Sequence, residues 1–284
     1  MAQIMGIDVS KYQGSIDWYK VRADGVKFAM IRAGICDYNG TVQEDPTFTK
    51  NLTNAAAAGV YTGVYLYSYA KTATAAAVAA RQLIGMLSGY TISYPVAFDM
   101  EDNVYFDFTK EQNNAIAAAF MDQIRSLSYY PILYSYTAFL NNRLDMSRMT
   151  HYDVWVADYR GYVGYKGKYG IWQNSSTGRI DGISGDVDTD IAYHDYPTLI
   201  RNLGLNGLIQ PPKYWQIDIY SFKEQSRAQA IADAFKTLGL YCTIQPKDDK
   251  WAVLMYSFSK KSRAEEVSRA ITTLGFYNVV EPRE

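Results

Sequence analysis

Acidic residues carry every strong candidate for chemistry in this chain. Asp8 stands in Gly6-Ile7-Asp8-Val9-Ser10, Asp99 and Glu101 in Ala97-Phe98-Asp99-Met100-Glu101, and Asp188 in Gly185-Asp186-Val187-Asp188-Thr189-Asp190. In an extended strand residues i and i+2 share a face, so Asp99 and Glu101 are expected side by side, roughly 6–7 Å apart at Cα. Two carboxylates so placed ionise unequally: Glu101 is expected to hold its proton near neutrality, and Asp99 to stay charged. A proton donor beside a stabilising carboxylate is what glycoside cleavage requires. A lone acid after a strand is more often a helix cap, which is the reading for Asp102 and Asp107. Asp186 and Asp190 stay ambiguous, because the Asp-x-Asp-x-Asp alternation resembles a calcium loop but lacks the Gly and distal Glu of an EF-hand. The two cysteines, Cys36 and Cys242, form no CxxC pair, and His151 and His194 lie apart from the acidic motifs. No metal or other cofactor is therefore expected.

The elements that position these acids read as strands alternating with helices from Ile4 to about Tyr196. Apolar or β-branched runs fall at residues 4–9, 27–33, 60–69, 94–99, 131–136, 153–157, 169–172 and 185–191. Helical patterns separate the early ones, at a run of alanines before Gly59, at Thr72–Leu87, and at Thr109–Leu127, where Thr109 and Gln112 make an N-terminal entry. This predicts a parallel α/β sheet closed into an irregular (β/α) barrel of about eight strands. The last spacers are short and rich in Gly and Tyr, so the final strands lack full helices. A doubly wound open sheet is the rival. Adjacent first and eighth strands would bring Asp8 near Asp188, with all four acids at the C-terminal ends of strands.

The segment Gly204 to Pro212 (GLNGLIQPP) is turn-prone and uncharged, and residues 206–212 are read as a linker between domains 1–205 and 213–284. The second domain repeats itself at a spacing of 36 residues: Tyr220-Ser221-Phe222, Ser226-Arg227-Ala228 and Leu238-Gly239 recur as Tyr256-Ser257-Phe258, Ser262-Arg263-Ala264 and Leu274-Gly275. Each copy reads strand, Ser-capped helix, Gly stop, strand, giving a small α+β, ferredoxin-like βαββαβ unit. Trp215, Trp251, Tyr220, Tyr256, Phe222 and Phe258 sit on its strands, at least half of them as core. The 28 Lys+Arg and 29 Asp+Glu give a net charge of −1. No strong field draws nucleic acid or an anionic membrane, and neither is expected as a partner. Rings total 42 (5 Trp, 26 Tyr, 11 Phe) and suit a sugar-gripping surface. Tyr67, Tyr134 and Trp155 are selected as groove residues among the strand aromatics Tyr65, Tyr67, Tyr134, Tyr136, Trp155 and Trp172.

Taken in order, Gly6-Ile7-Asp8-Val9-Ser10, Tyr12-Gln13-Gly14, Ile16-Asp17-Trp18, the Asp99-Met100-Glu101 pair, Leu133-Tyr134-Ser135, Trp155-Val156-Ala157-Asp158-Tyr159, Trp172-Gln173 and Gly182 to Asp188 resemble glycoside hydrolase family 25. This is the lysozyme family of phage endolysins and bacterial autolysins. The resemblance covers nearly all of residues 4–196. It implies an irregular barrel that hydrolyses the β-1,4 bond from N-acetylmuramic acid to N-acetylglucosamine in peptidoglycan. It also implies Glu101 as general acid, Asp99 as the support of the intermediate, and Asp8 and Asp188 as flanking acids. Two positions depart from the pattern: Leu66, where many relatives carry His, and Asp190, where Asn is common. The second domain resembles SPOR domains, which implies binding to glycan strands of peptidoglycan stripped of peptide.

Retention through attack by the substrate's own acetamido oxygen is the preferred course, and inversion by a held water the competing one. The alternatives are a non-catalytic wall-binding protein and another wall hydrolase such as a deacetylase. The opening MAQIMG has no cationic start or apolar core, so no signal peptide is read. The place of action is the bacterial wall, reached from the host cytoplasm if the chain is an endolysin.

Overall fold

The computed structural model describes residues 3–208 and 214–283. The chain divides into two compact units, Met1–Gln210 and Pro211–Glu284. Among the described residues no helix is long and apolar enough to cross a membrane.

In the first unit the order is β1 (Ile4–Val9), α1 (Trp18–Ala23), β2 (Phe28–Cys36), β3 (Val42–Glu44), α2 (Phe48–Ala57), β4 (Tyr61–Ser68), α3 (Ala73–Met86), β5 (Val96–Asp99), α4 (Lys110–Ser126), β6 (Pro131–Tyr136), α5 (Thr137–Asn142), β7 (Asp153–Ala157), β8 (Ile171–Gly178), β9 (Val187–Ala192) and α6 (Tyr196–Asn202). The sheet runs β1-β9-β8-β7-β6-β5-β4-β2 and closes through a β1–β2 pairing, with β3 an antiparallel appendage of β2. An irregular eight-stranded barrel results, and the helices thin out after α4 as the spacers required. Thr109 begins α4 with a capping box, its hydroxyl accepting from Gln112 N while Gln112 Oε1 accepts from Thr109 N.

The last strand corrects the all-parallel expectation. β9 runs antiparallel to both β1 and β8. Its strand β8 continues through the polar stretch Gln173–Gly178, leaving only residues 179–186 before β9. A parallel return needs a crossover of about a dozen residues or more, so this connection makes a hairpin. Asp188 therefore lies at the start of its strand, not at a C-terminal end, yet antiparallel pairing sets it directly opposite Asp8.

Strand alternation sorts the apolar residues into two layers. One face packs Ile7, Val64, Leu66, Phe98 and Leu133 against the helices, with Phe120 of α4 among their partners. The other fills the barrel with Phe28, Met30, Tyr94, Ile132, Ile171 and Tyr196. The departure at Leu66 thus lies in the outer layer, away from the barrel lumen. Asn206, expected in the linker, is fastened to the barrel: its Oδ1 accepts from Tyr130 N (2.8 Å) and its Nδ2 donates to Tyr94 O (3.0 Å). Linker positions 209–212 lie outside the described residues.

The second unit holds β10 (Tyr214–Phe222), α7 (Gln225–Thr237), β11 (Cys242–Lys247), β12 (Lys250–Phe258), α8 (Lys261–Thr273) and β13 (Asn278–Arg283). Its antiparallel sheet has the order β11-β12-β10-β13, the ferredoxin-like arrangement of a βαββαβ chain. Ser226 and Ser262 do not cap: the N-caps are Glu224 and Lys260, without side-chain cap bonds. Ile217, Ile219, Val253 and Met255 form the core with Ala228, Ala232 and Ile271 of the helices.

Close packing inside the barrel uses glycine where a side chain has no room. A Cβ at Gly63 of β4 would meet Met30 Sδ at 2.5 Å, Tyr94 Cβ at 2.7 Å and Pro95 O at 2.8 Å. Gly63→Ala is predicted to destabilise the barrel by about 1–3 kcal/mol through overpacking. The urea midpoint should fall accordingly, and an unchanged midpoint would contradict this packing.

Candidate active site

Register places the selected residues on one row of the barrel. Tyr67 of β4, Asp99 of β5, Tyr134 of β6 and Trp155 of β7 are successive partners across four parallel strands, so their side chains share the inward face. Glu101 follows two residues beyond Asp99, just past the strand. Met100 N donates to Tyr134 O (3.0 Å) and Ser135 Oγ donates to Met100 O (2.7 Å), which holds this extension against β6. From the opposite wall, paired β1 and β9 contribute Asp8 and Asp188. All seven residues predicted from sequence line one cleft of about 250 Å³.

Burial differs among them. Asp99 is 4% exposed and its Oδ1 has no hydrogen-bond partner among the described residues. Trp155, 1% exposed, and Tyr134, 6%, form the floor, with ring centroids 4.4 Å apart. They are packed too deeply to offer a whole ring face to a ligand, whereas Tyr12 and Tyr159, 77% and 52% exposed, stand at the mouth. Asp102 caps the turn after Glu101 by accepting from Val104 N (2.9 Å) and also accepts from Tyr67 OH (3.2 Å), as expected of a cap. Asp186 is exposed and paired with Arg179 (2.9 Å).

The acid cluster is larger than expected. Asp190, 1% exposed, joins it from beneath, with Oδ1 accepting from Trp155 Nε1 (2.7 Å) and its carboxyl group in contact with that of Asp8. Burial, then the charges of Asp190 and Asp188, hold Asp8 well above the usual carboxylate range. Burial does the same to Asp190 and Asp99, the latter with a further push from Glu101 and relief from Arg32. Asp99 thus differs from the sequence expectation that it simply stays charged: its site favours the protonated form. Burial and the charges of Asp188 and Asp102 push Glu101 up to about 7, against the lowering effect of the Tyr134 hydroxyl. Asp188 rises through burial to about 6.

A family profile, Glycosyl hydrolases family 25, matches residues 7–183, which takes in the cleft residues from Asp8 to Gln173. The chain belongs to glycosyl hydrolase family 25. It is a glycoside hydrolase by that membership, and its barrel is the catalytic fold of the family. This family 25 chain is 30% identical over 197 residues to the uncharacterized protein YegX of Escherichia coli O157:H7, covering 66% of this chain and 69% of that one. It is 30% identical over 202 residues to Lysozyme M1 of Streptomyces globisporus, covering 65% and 66% respectively. Among solved structures, the modular autolysin LytC from Streptococcus pneumoniae superposes with a TM-score of 0.59 at 29% identity, over 67% of this chain. The chain spans about half, 47%, of that autolysin's length.

Sequence reasoning missed several supports of the family 25 site. Gln173 is a buried hub: its Nε2 donates to Asp8 Oδ2 (2.6 Å), while Tyr134 OH (2.9 Å) and Tyr159 OH (2.6 Å) donate to its Oε1. One amide therefore fixes an acid and two rings. Arg32 reaches the cleft but is already paired, its Nε (2.8 Å) and guanidinium (2.7 Å) on Asp45 Oδ2. His151 and His194, the ligands a deacetylase would need, do not line the cleft.

Asp190 supplies the prediction. Its carboxyl is raised in the folded state above an unfolded value of about 3.9, so the stability it contributes is present below about pH 4 and is lost as pH rises toward the folded value. Asp190→Asn keeps the acceptor for Trp155 and removes a charge that burial disfavours. The variant is expected to melt higher than the parent at pH 7, by about 2–4 °C per kcal/mol recovered, with the gap closing near pH 4. Calorimetry at the two pH values checks this, and a lower melting point at pH 7 would refute it.

Proposed function

We propose that the protein is an N-acetylmuramidase that cleaves the β-1,4 bond between N-acetylmuramic acid and N-acetylglucosamine in bacterial peptidoglycan. The observation that carries this reading is the unequal placement of Asp99 and Glu101, one at the floor and one at the opening of the same acid-lined cleft. Family membership and the relatives named lysozyme and autolysin support it. Glu101, pushed up to about 7, can hold a proton at neutral pH for the leaving oxygen. Asp99 gives its proton to water as the sugar seats, and the carboxylate left behind stabilises the cationic anomeric centre.

Glu101 and Asp99 leave the same strand end, so both approach the sugar from one side. A retaining enzyme with a protein nucleophile needs its two carboxyl groups on opposite sides of the scissile bond. Attack by the 2-acetamido oxygen of the substrate fits this one-sided arrangement better, with Asp99 orienting the acetamido group and Glu101 later activating water. NMR of the first-turnover product is expected to show a retained anomer, and an inverted one would refute substrate assistance.

Glu101→Gln is expected to lower turnover by at least about 10³-fold while binding to walls persists. Mass spectrometry of digested peptidoglycan checks both parts: the parent enzyme should leave muramic reducing ends and the variant none. Glucosamine reducing ends, or clearing by the variant, would overturn the assignment.

For the second unit we read a wall-binding role. Tyr220, Trp251 and Tyr277 border a hollow of about 400 Å³ beside the β11–β12 hairpin. Lys247 donates to Tyr220 OH (2.7 Å), and Tyr277 is 69% exposed, so one ring is braced and another free to stack on sugar. Phe222 is core, and Trp215, Trp251 and Phe258 pack against it. Tyr277→Ala is expected to weaken sedimentation with insoluble walls several-fold while leaving hydrolysis of soluble fragments unchanged. Equal sedimentation would remove the assignment.

A further inference from the structure

The cleft does not end at Glu101. A second hollow of about 730 Å³ shares Glu101, Tyr134 and Tyr159 with it and extends to Asn141 and Arg160. Asn141, on α5, borders this hollow and also a third cavity of about 700 Å³, and its Nδ2 donates to Gly164 O (3.3 Å). The third cavity has apolar walls, including Leu140, Leu144 and Met149, and a rim that carries Lys110, Lys166 and Lys168. Among the described residues none of these three lysines forms an ion pair. Lys110 donates to Asn141 O (3.4 Å), and the one acid in the lining, Asp145, accepts from Ser147 N (3.2 Å) and Ser147 Oγ (2.6 Å) and feels the Lys110 charge, which leaves Lys166 and Lys168 as the freer pair. The two sides of Asn141 therefore differ in charge: crowded carboxyl groups line the cleft, and three ammonium groups stand against one carboxylate in the third cavity.

We infer that the lysine-rimmed cavity is a subsite for the acidic peptide branch of a peptide-bearing glycan, an inference that rests on the muramidase reading above. An anionic peptide is repelled from the acid cluster and attracted to the lysine rim, while an uncharged sugar carries no such penalty beside Asp99 and Glu101. Apolar walls beneath the rim suit the small alkyl side chains between the carboxylates of such a peptide. An extended branch advances about 3.3–3.6 Å per residue, so four or five residues reach roughly 13–18 Å from the sugar.

The test compares two substrates from the same walls: glycan strands that keep their peptides, and strands stripped of peptide by an amidase, both freed of phosphate polymers. In the triple variant Lys110→Gln, Lys166→Gln, Lys168→Gln, kcat/KM on peptide-bearing strands should fall about 3–30-fold, as expected for three exposed charges. On stripped strands it should stay within twofold. Raising salt should shrink the parent's preference for peptide-bearing strands. An equal loss on both substrates, or no loss on peptide-bearing strands, overturns the subsite. A loss that appears only on walls retaining their phosphate polymer assigns the lysines to that polymer and equally overturns it. If the parent cuts neither substrate, the muramidase reading itself fails and takes the subsite with it.

Discussion

Five carboxyl groups, those of Asp8, Asp99, Glu101, Asp188 and Asp190, are held at one end of a closed barrel, and the nearest guanidinium, Arg32, is already committed to Asp45. Charging all five in so confined a place is costly, because burial and mutual repulsion both favour the protonated forms. The barrel must therefore keep protons on part of the cluster near neutrality. Hydrogen-bond donors around the cluster offset part of the cost of charging it. Gln173 turns its amide hydrogen toward Asp8, Trp155 turns its indole hydrogen toward Asp190, and the Tyr134 hydroxyl reaches both Gln173 and Glu101. The least buried of the acids on the β5 side, Glu101, is then the one placed to exchange its proton with a ligand.

The rest of the fold serves this cluster. Interior glycines and large interior rings close the barrel below it, so that water has little access from beneath. The β8–β9 hairpin delivers Asp188 and Asp190 without a crossover helix, which leaves that side of the mouth open. On the other side of Asn141 a separate cavity carries the opposite charge, with Lys110, Lys166 and Lys168 on its rim. A polymer with neutral sugars and acidic branches matches that change.

Much of the barrel was legible because its strands are short apolar runs bounded by turn residues, and because Thr109 and Gln112 mark a helix start. The direction of β9 was not, since alternation looks the same in either direction. The signal that would have revealed it lay in Gln173–Gly178: polar residues hid the continuation of β8 and made the gap to β9 seem long enough for a crossover. The three residues of β3, Val42–Glu44, are mostly exposed and carry no periodicity to detect. In the site, types and spacing brought out Asp8, Asp99, Glu101 and Asp188, and strand alternation brought out Tyr67, Tyr134 and Trp155. Gln173 was visible only as part of a motif, because the burial that makes an amide a hub depends on contacts 39 and 165 residues away. The same dependence hid the pairing of Arg32 with Asp45 and the deep burial of Asp190.

The protonation of Glu101 is the point on which the chemistry turns, and it can be observed without substrate. Carboxyl ¹³C labelling of Asp and Glu, with Glu101→Gln to assign the resonance, would follow the cluster through a pH titration. The account predicts that the Glu101 signal has its midpoint near 7. A midpoint near 4.3, where an unperturbed glutamate titrates, would mean that the cleft does not hold the proton.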